Sequence, residues 1–166
     1  MKKIASFLFL IVLFSCSNTN KEKTSFTKEA LTETLLTLDE NQVTFESILK
    51  ENEGKTTVIE VWASWCGDCI RAMPNLKELQ SEHSDVNYVF ISMDKSVDAW
   101  KYGIAKHRLK GSHYMANDQM KGKFANAIDL DWIPRYIIID KTGKIVLYRA
   151  IEKDFDLINK TIKKLK

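Results

Sequence analysis

Two cysteines three residues apart, Cys66 and Cys69, sit in the stretch Trp62-Ala63-Ser64-Trp65-Cys66-Gly67-Asp68-Cys69. A pair at this spacing can exchange disulfides, supply half of a tetrahedral zinc site, or close a small structural disulfide. The flanking residues weigh these differently. Val58-Ile59-Glu60-Val61 reads as a buried strand, and Ile70, Met73, Leu76 and Leu79 recur at helical spacing directly after the pair. The thiols therefore fall at the start of a helix, where the first N–H groups lack intrahelical partners and the macrodipole is positive. A thiolate at Cys66 is favoured there, and the thiolate is the form that attacks a disulfide. A zinc site needs two more ligands, but His83, His107 and His113 show no ligand spacing relative to the pair. A structural disulfide between such close neighbours closes too small a loop to stabilise much. Redox exchange leads, with Cys66 as attacker and Cys69 as resolver.

The elements around the pair can be read from the same sequence. Along the strand, Val58, Glu60 and Trp62 share one face while Ile59, Val61 and Ala63 share the other. Neither face is polar, so Glu60 is expected to be enclosed, which raises a carboxyl pKa. The alternative is a strand-end acid paired with a surface lysine. Trp62 and Trp65 are expected to flank the cysteines, and Pro74, lacking an N–H, to kink the helix. Asp68 favours the helix start but opposes a thiolate, which points to a more reducing couple.

Further on, Asp85 to Met93 reads as a second buried strand, followed by a helix through Trp100, Ile104 and Leu109 that Gly111 ends. His113 to Ala116 reads as a short added strand, and Lys121 to Ala127 as a short helix. Asp140-Lys141-Thr142-Gly143-Lys144 is a hairpin turn between two apolar strands. A last helix starts near Asp154, with Phe155, Ile158, Ile162 and Leu165 on one stripe. Before the cysteine motif, Lys28 to Leu38 reads as a short helix or irregular lead-in, and Val43 to Leu49 as a strand and a helical turn. The order of strands and helices fits an α/β domain with a central mixed sheet.

The chain has 166 residues, 45% of them apolar, enough for one domain with a real core. Its formal charge of +3 includes Lys2 and Lys3 of the amino-terminal segment. Without them acids and bases nearly balance, so no basic stripe argues for nucleic acid. Ile4 to Phe14 is almost wholly apolar but far short of the ~20 residues a membrane-spanning helix needs, and suits a signal peptide. Leu13-Phe14-Ser15-Cys16 resembles a bacterial lipobox, which implies a cleaved leader over residues 1–15 and a lipidated Cys16. Residues 16–26 then read as a polar tether, of which Ser17 to Ser25 reach ~30 Å at ~3.3–3.6 Å per residue. The folded domain is expected over 27–166, held to a membrane and facing the periplasm of a bacterial envelope.

Trp-Ala-Ser-Trp-Cys-Gly-Asp-Cys, with Pro74 five residues beyond Cys69, resembles the active-site segment of the thioredoxin superfamily. It is most similar to the membrane-tethered, extracytoplasmic thiol–disulfide oxidoreductases of the TlpA/ResA-like group, over roughly Val43 to Lys166. The resemblance implies a thioredoxin-like fold with helices on both faces of the sheet and a redox-active Cys66–Cys69 disulfide. It implies that Glu60 relays protons to Cys69. It also implies that Trp132-Ile133-Pro134-Arg135 is a cis-proline loop in which Pro134 faces the cysteines and the Ile133 backbone, with Trp65, receives an extended substrate. Asp68 stands where proline is common and Arg135 where a smaller residue is frequent. The partners expected are protein thiols or disulfides and an upstream thiol donor, with reductase work such as cytochrome c maturation foremost. No cofactor or metal is expected, and a monomer is. A non-catalytic binding module and a metallochaperone are the competing classes.

Overall fold

The computed structural model describes residues 23–166. The leader, Cys16 and most of the tether lie outside them. Residues 23–26, assigned above to the tether, are packed onto the domain. Phe26 is buried edge-on against Phe45, and the Thr24 carbonyl accepts from the Ile145 N–H at 2.9 Å.

Fourteen elements follow: α1 (Lys28–Thr32), β1 (Thr34–Thr37), β2 (Gln42–Thr44), α2 (Phe45–Glu51), β3 (Thr57–Trp62), α3 (Gly67–Glu82), β4 (Asn87–Ser92), α4 (Val97–His107), β5 (Ser112–Ala116), a 3-10 turn (Gln119–Lys121), α5 (Lys123–Ala127), β6 (Arg135–Ile139), β7 (Ile145–Ala150) and α6 (Phe155–Lys164). The seven strands form one mixed sheet in the order β2-β1-β5-β4-β3-β6-β7. β3, β4 and β5 run parallel; β6 and β7 continue the sheet antiparallel on one side, β1 and β2 on the other. Every residue of β3 and β6 is buried, as happens when helices cover both faces of a central strand. That explains why both strands are apolar apart from Thr57, Glu60 and Arg135. The helices divide into α3 with α6, and α1 with α2 and α5.

α3 runs through Pro74 to Glu82 as one helix, and two local expectations change. Lys28 to Leu38 splits into α1 and β1: Glu33 at the end of α1 is already extended (φ −65°, ψ 143°), and β1 pairs with both β2 and β5. Pairing with β5, distant in sequence, as well as with the neighbouring β2 settled that segment. α4 stops at His107, not at Gly111: Arg108 takes the left-handed conformation (φ 51°) and its N–H bonds back to the Ala105 carbonyl. Leu109 is buried beyond the helix end.

Gly111 serves the sheet instead. Its φ of +146° suits glycine, and a Cβ there would meet the Tyr88 carbonyl oxygen at 2.4 Å and the Phe90 ring at 2.9 Å. Gly143, in the β6–β7 turn, also has positive φ (+82°), but a Cβ would meet nothing within 4 Å. Gly111→Ala is therefore expected to destabilise the domain by about 2–4 kcal/mol, and Gly143→Ala by about 1–2 kcal/mol. Urea unfolding of both variants checks this; equal losses would contradict the close packing of Gly111 on β4.

Candidate active site

Cys66 is the N-cap of α3. Its backbone is extended (φ −79°, ψ 108°) and its Sγ accepts the Cys69 N–H at 3.1 Å. A sulfur therefore does what a Ser or Asp oxygen does at other helix starts, filling one of the unpaired first-turn donors. Cys66 and Cys69 are disulfide-bonded. The pair is asymmetric, Cys66 being 6% exposed and Cys69 fully buried. An incoming sulfur reaches Cys66 first.

The loop before β6 closes over that sulfur. The Ile133–Pro134 peptide is cis, and the Ile133 carbonyl oxygen lies 3.6 Å from Cys66 Sγ. The structure thus brings Ile133 beside Cys66, across the sheet from where the motif begins. Trp65, Cys66, Asp68, Arg71, Met120, Trp132 and Ile133 are among the residues around a groove of about 410 Å³. Trp65 is 55% exposed and Trp132 52%. Trp62 does not flank the pair as expected. It is fully buried, with its ring against Gly103 of α4, because the strand carries it into the core.

The Ala63–Trp65 turn that feeds Cys66 into the helix is held from below. Asp94, 1% exposed just past β4, accepts the Ser64 N–H at 3.1 Å, the Ser64 hydroxyl at 2.7 Å and the Ser92 hydroxyl at 2.7 Å. These three donors meet the needs of a carboxylate that has no cation beside it. The cap of α4 is Ser96, and Asp94 faces the active-site turn.

Asp68 is not a lone charge. The Arg71 guanidinium, one turn on along α3, pairs with it, so the charge facing a thiolate at Cys66 is largely offset. Sequence periodicity puts the two at neighbouring helix positions, a signal the pattern of apolar residues alone passes over.

Glu60 is 2% exposed in the middle of β3, opposite Tyr136 of β6. The Tyr136 hydroxyl donates to Oε1 at 3.3 Å, and Oε2 has no partner among the described residues. Burial pushes its pKa up to about 8, against the opposing effect of the Tyr136 hydrogen bond. Burial removes the alternative of a strand-end acid paired with a surface lysine.

Arg135 follows Pro134 and is 1% exposed. Its guanidinium pairs with Asp131, which also accepts from Arg149 of β7 at 2.7 Å. The histidines stand apart from the cysteines: His83 bonds to Asn159 at 2.8 Å, and His113 stacks on Phe90. Among the described residues no group of three His, Cys, Asp or Glu side chains converges to hold a metal. No helix among them is long and apolar enough to cross a membrane.

Comparison with known proteins agrees with this geometry. A thioredoxin-like family model matches residues 54–145, more than half of the chain and the whole stretch from the turn before β3 into β7. The thiol–disulfide oxidoreductase YkuV of Bacillus subtilis is 25% identical over 130 residues, covering 75% of this chain and 84% of its own. ResA of Bacillus cereus, also a thiol–disulfide oxidoreductase, is 28% identical over 130 residues, covering 76% and 70%. The solution structure of a Bacteroides vulgatus protein assigned as a thiol–disulfide oxidoreductase superposes with a TM-score of 0.63 at 31% identity, over 82% of this chain and 85% of that one. The chain belongs to the thioredoxin-like family, and within it to the thiol–disulfide oxidoreductases of the ResA kind.

Proposed function

We propose that this protein is a lipid-anchored thiol–disulfide oxidoreductase of the bacterial cell envelope that reduces disulfides in protein clients through Cys66 and Cys69, with apocytochrome c disulfides among the targets. The observation that carries the redox reading is the cystine itself, its outer sulfur at a helix N-cap and 3.6 Å from the Ile133 carbonyl. The anchor reading rests on the lipobox-like Leu13-Phe14-Ser15-Cys16.

In the reduced protein the Cys66 thiolate attacks one sulfur of a client disulfide. That bond breaks, the first client thiolate leaves and takes a proton from solvent, and a Cys66–client mixed disulfide forms. Cys69, deprotonated, then attacks Cys66 Sγ, and the second client thiolate leaves. Two electrons pass from the protein dithiol to the client, and an upstream dithiol restores Cys66 and Cys69 by the reverse sequence. The helix N-terminus and the Cys69 N–H favour the Cys66 thiolate. The Asp68–Arg71 pair adds no net positive charge to that stabilisation. A couple lacking added cations keeps its reducing power, which supports the reductase direction. Ile133, with its carbonyl turned toward Cys66, suits a client segment laid alongside as an added strand, and Pro134 keeps that position free of an N–H.

Glu60 supplies the base for the second step. A carboxyl raised to about 8 by burial lies far closer to a thiol's range than an ordinary carboxyl does, which suits it to exchange a proton with Cys69. The same shift has a stability consequence. The folded chain holds this proton up to about pH 8, whereas the unfolded chain loses it near 4.5. The folded state thus binds more protons between those values, and stability falls as pH rises across that window and levels above it.

Two outcomes test these roles. Cys69→Ser is expected to accumulate client adducts at Cys66 that dissolve on reduction, while Cys66→Ser accumulates none; non-reducing electrophoresis of envelope extracts shows which. An absence of adducts with Cys69→Ser would contradict exchange at Cys66. Glu60→Gln is expected to slow mixed-disulfide resolution about tenfold at pH 7. It should also erase both the rise in resolution rate toward pH 8 and the loss of stability between pH 4.5 and 8. A variant that resolves at the wild-type rate at every pH would refute the relay, whatever its stability.

A further inference from the structure

We infer that Trp132 selects the client: together with Trp65 it forms an aromatic clamp across Cys66 that takes an extended peptide carrying a bulky apolar side chain next to its disulfide-bonded cysteine. The inference rests on the exchange reading above and adds the client's chemistry to it.

Among the described residues only five large apolar side chains stand well exposed, and two of them, Trp65 at 55% and Trp132 at 52%, line the one groove that also contains Cys66. Exposed indoles brought to a single groove have no folding purpose that would explain their exposure, and such patches mark contact surfaces. Each offers a large apolar face at little cost in conformational entropy. The groove's charges are already satisfied within the protein. Asp68 pairs with Arg71, and Asp131 pairs with both Arg135 and Arg149. Among the described residues a charged client residue would find no free counter-charge there, whereas an apolar one meets two indoles and Met120. Charge complementarity thus favours an uncharged, apolar neighbour to the client cysteine.

Trp132 is held in place by ties on the segment just before it. The Tyr148 hydroxyl donates to the Ile128 carbonyl at 2.6 Å, and Arg149 donates to the Asp129 carbonyl at 3.2 Å and to Asp131 at 2.7 Å. Lys23 bonds to the Asp129 carboxylate at 2.5 Å. The loop is anchored from β7, from Arg135 and from the entering chain, so its exposed indole is presented in advance of binding, which lowers the ordering cost of the complex.

The test uses two peptide disulfides of equal length that differ only in the residue preceding each cysteine, phenylalanine in one and aspartate in the other. Reduced protein is mixed with each, the reaction is acid-quenched, and mass spectrometry gives the second-order rate constant for oxidation of the protein dithiol to the Cys66–Cys69 disulfide. Wild type is expected to favour the phenylalanine peptide about tenfold or more. Trp132→Ala is expected to bring the ratio close to one, and Trp132→Phe to restore most of it. A Trp132→Ala variant that merely loosened the loop would slow both peptides equally and keep the ratio, which would overturn the inference. A wild-type ratio near one would overturn it as well, while leaving exchange itself intact. Failure of wild type to react with either peptide would instead remove the exchange reading, and this inference with it.

Discussion

The Cys66 sulfur accepts the Cys69 N–H at 3.1 Å at the head of α3 and lies 3.6 Å from the Ile133 carbonyl at the head of β6. One atom is thus shared between a helix start and a strand start that are far apart in the chain. β3 joins them. It pairs in parallel with β4 and antiparallel with β6, so its end delivers the cysteine motif at the same end of the sheet from which β6 departs. Seven strands and the helices over them keep that meeting point fixed. Because the contact partners of the sulfur are backbone groups, the geometry survives changes in most side chains around it.

Polar groups under this meeting point are used sparingly. Asp94 ties the Ser64 turn and is satisfied by three donors. Glu60 has one oxygen without a partner among the described residues and is held near neutrality by burial. A buried carboxyl with a free oxygen costs stability in the neutral-to-alkaline range, and it is retained in a strand whose other residues are almost all apolar. The contrast between the two acids is physical. Asp94 meets N–H and O–H donors and positions a turn; Glu60 meets one hydroxyl and is left able to take up or release a proton.

Much of this was legible in the sequence, for reasons that can be named. The cysteine pair at a helix start, the enclosed Glu60, the hairpin at Asp140–Lys144 and the stripe on α6 all follow from local pattern: period two, period 3.6, and turn chemistry. What local pattern could not supply was pairing between distant segments. β1 is a strand because β2 and β5 lie on either side of it. Trp62 and Trp65, three apart, were read as equivalent, yet one points into the core against Gly103 and the other into the groove. Trp132 belongs to the cis-proline loop and Arg71 stands three residues after Asp68 on α3, but that Trp132 lines the groove with Trp65, and that Asp94 turns inward to Ser64, follows only from tertiary contacts.

The most direct measurement is an equilibrium redox titration of the protein in dithiol–disulfide buffers, scored by alkylation of Cys66 and Cys69. A reversible two-electron transition is expected, with a midpoint nearer the about −270 mV of a reducing thioredoxin couple than the about −120 mV of a strong oxidant. A pair that stayed bridged or stayed open across the whole range would contradict the central claim that these two sulfurs cycle.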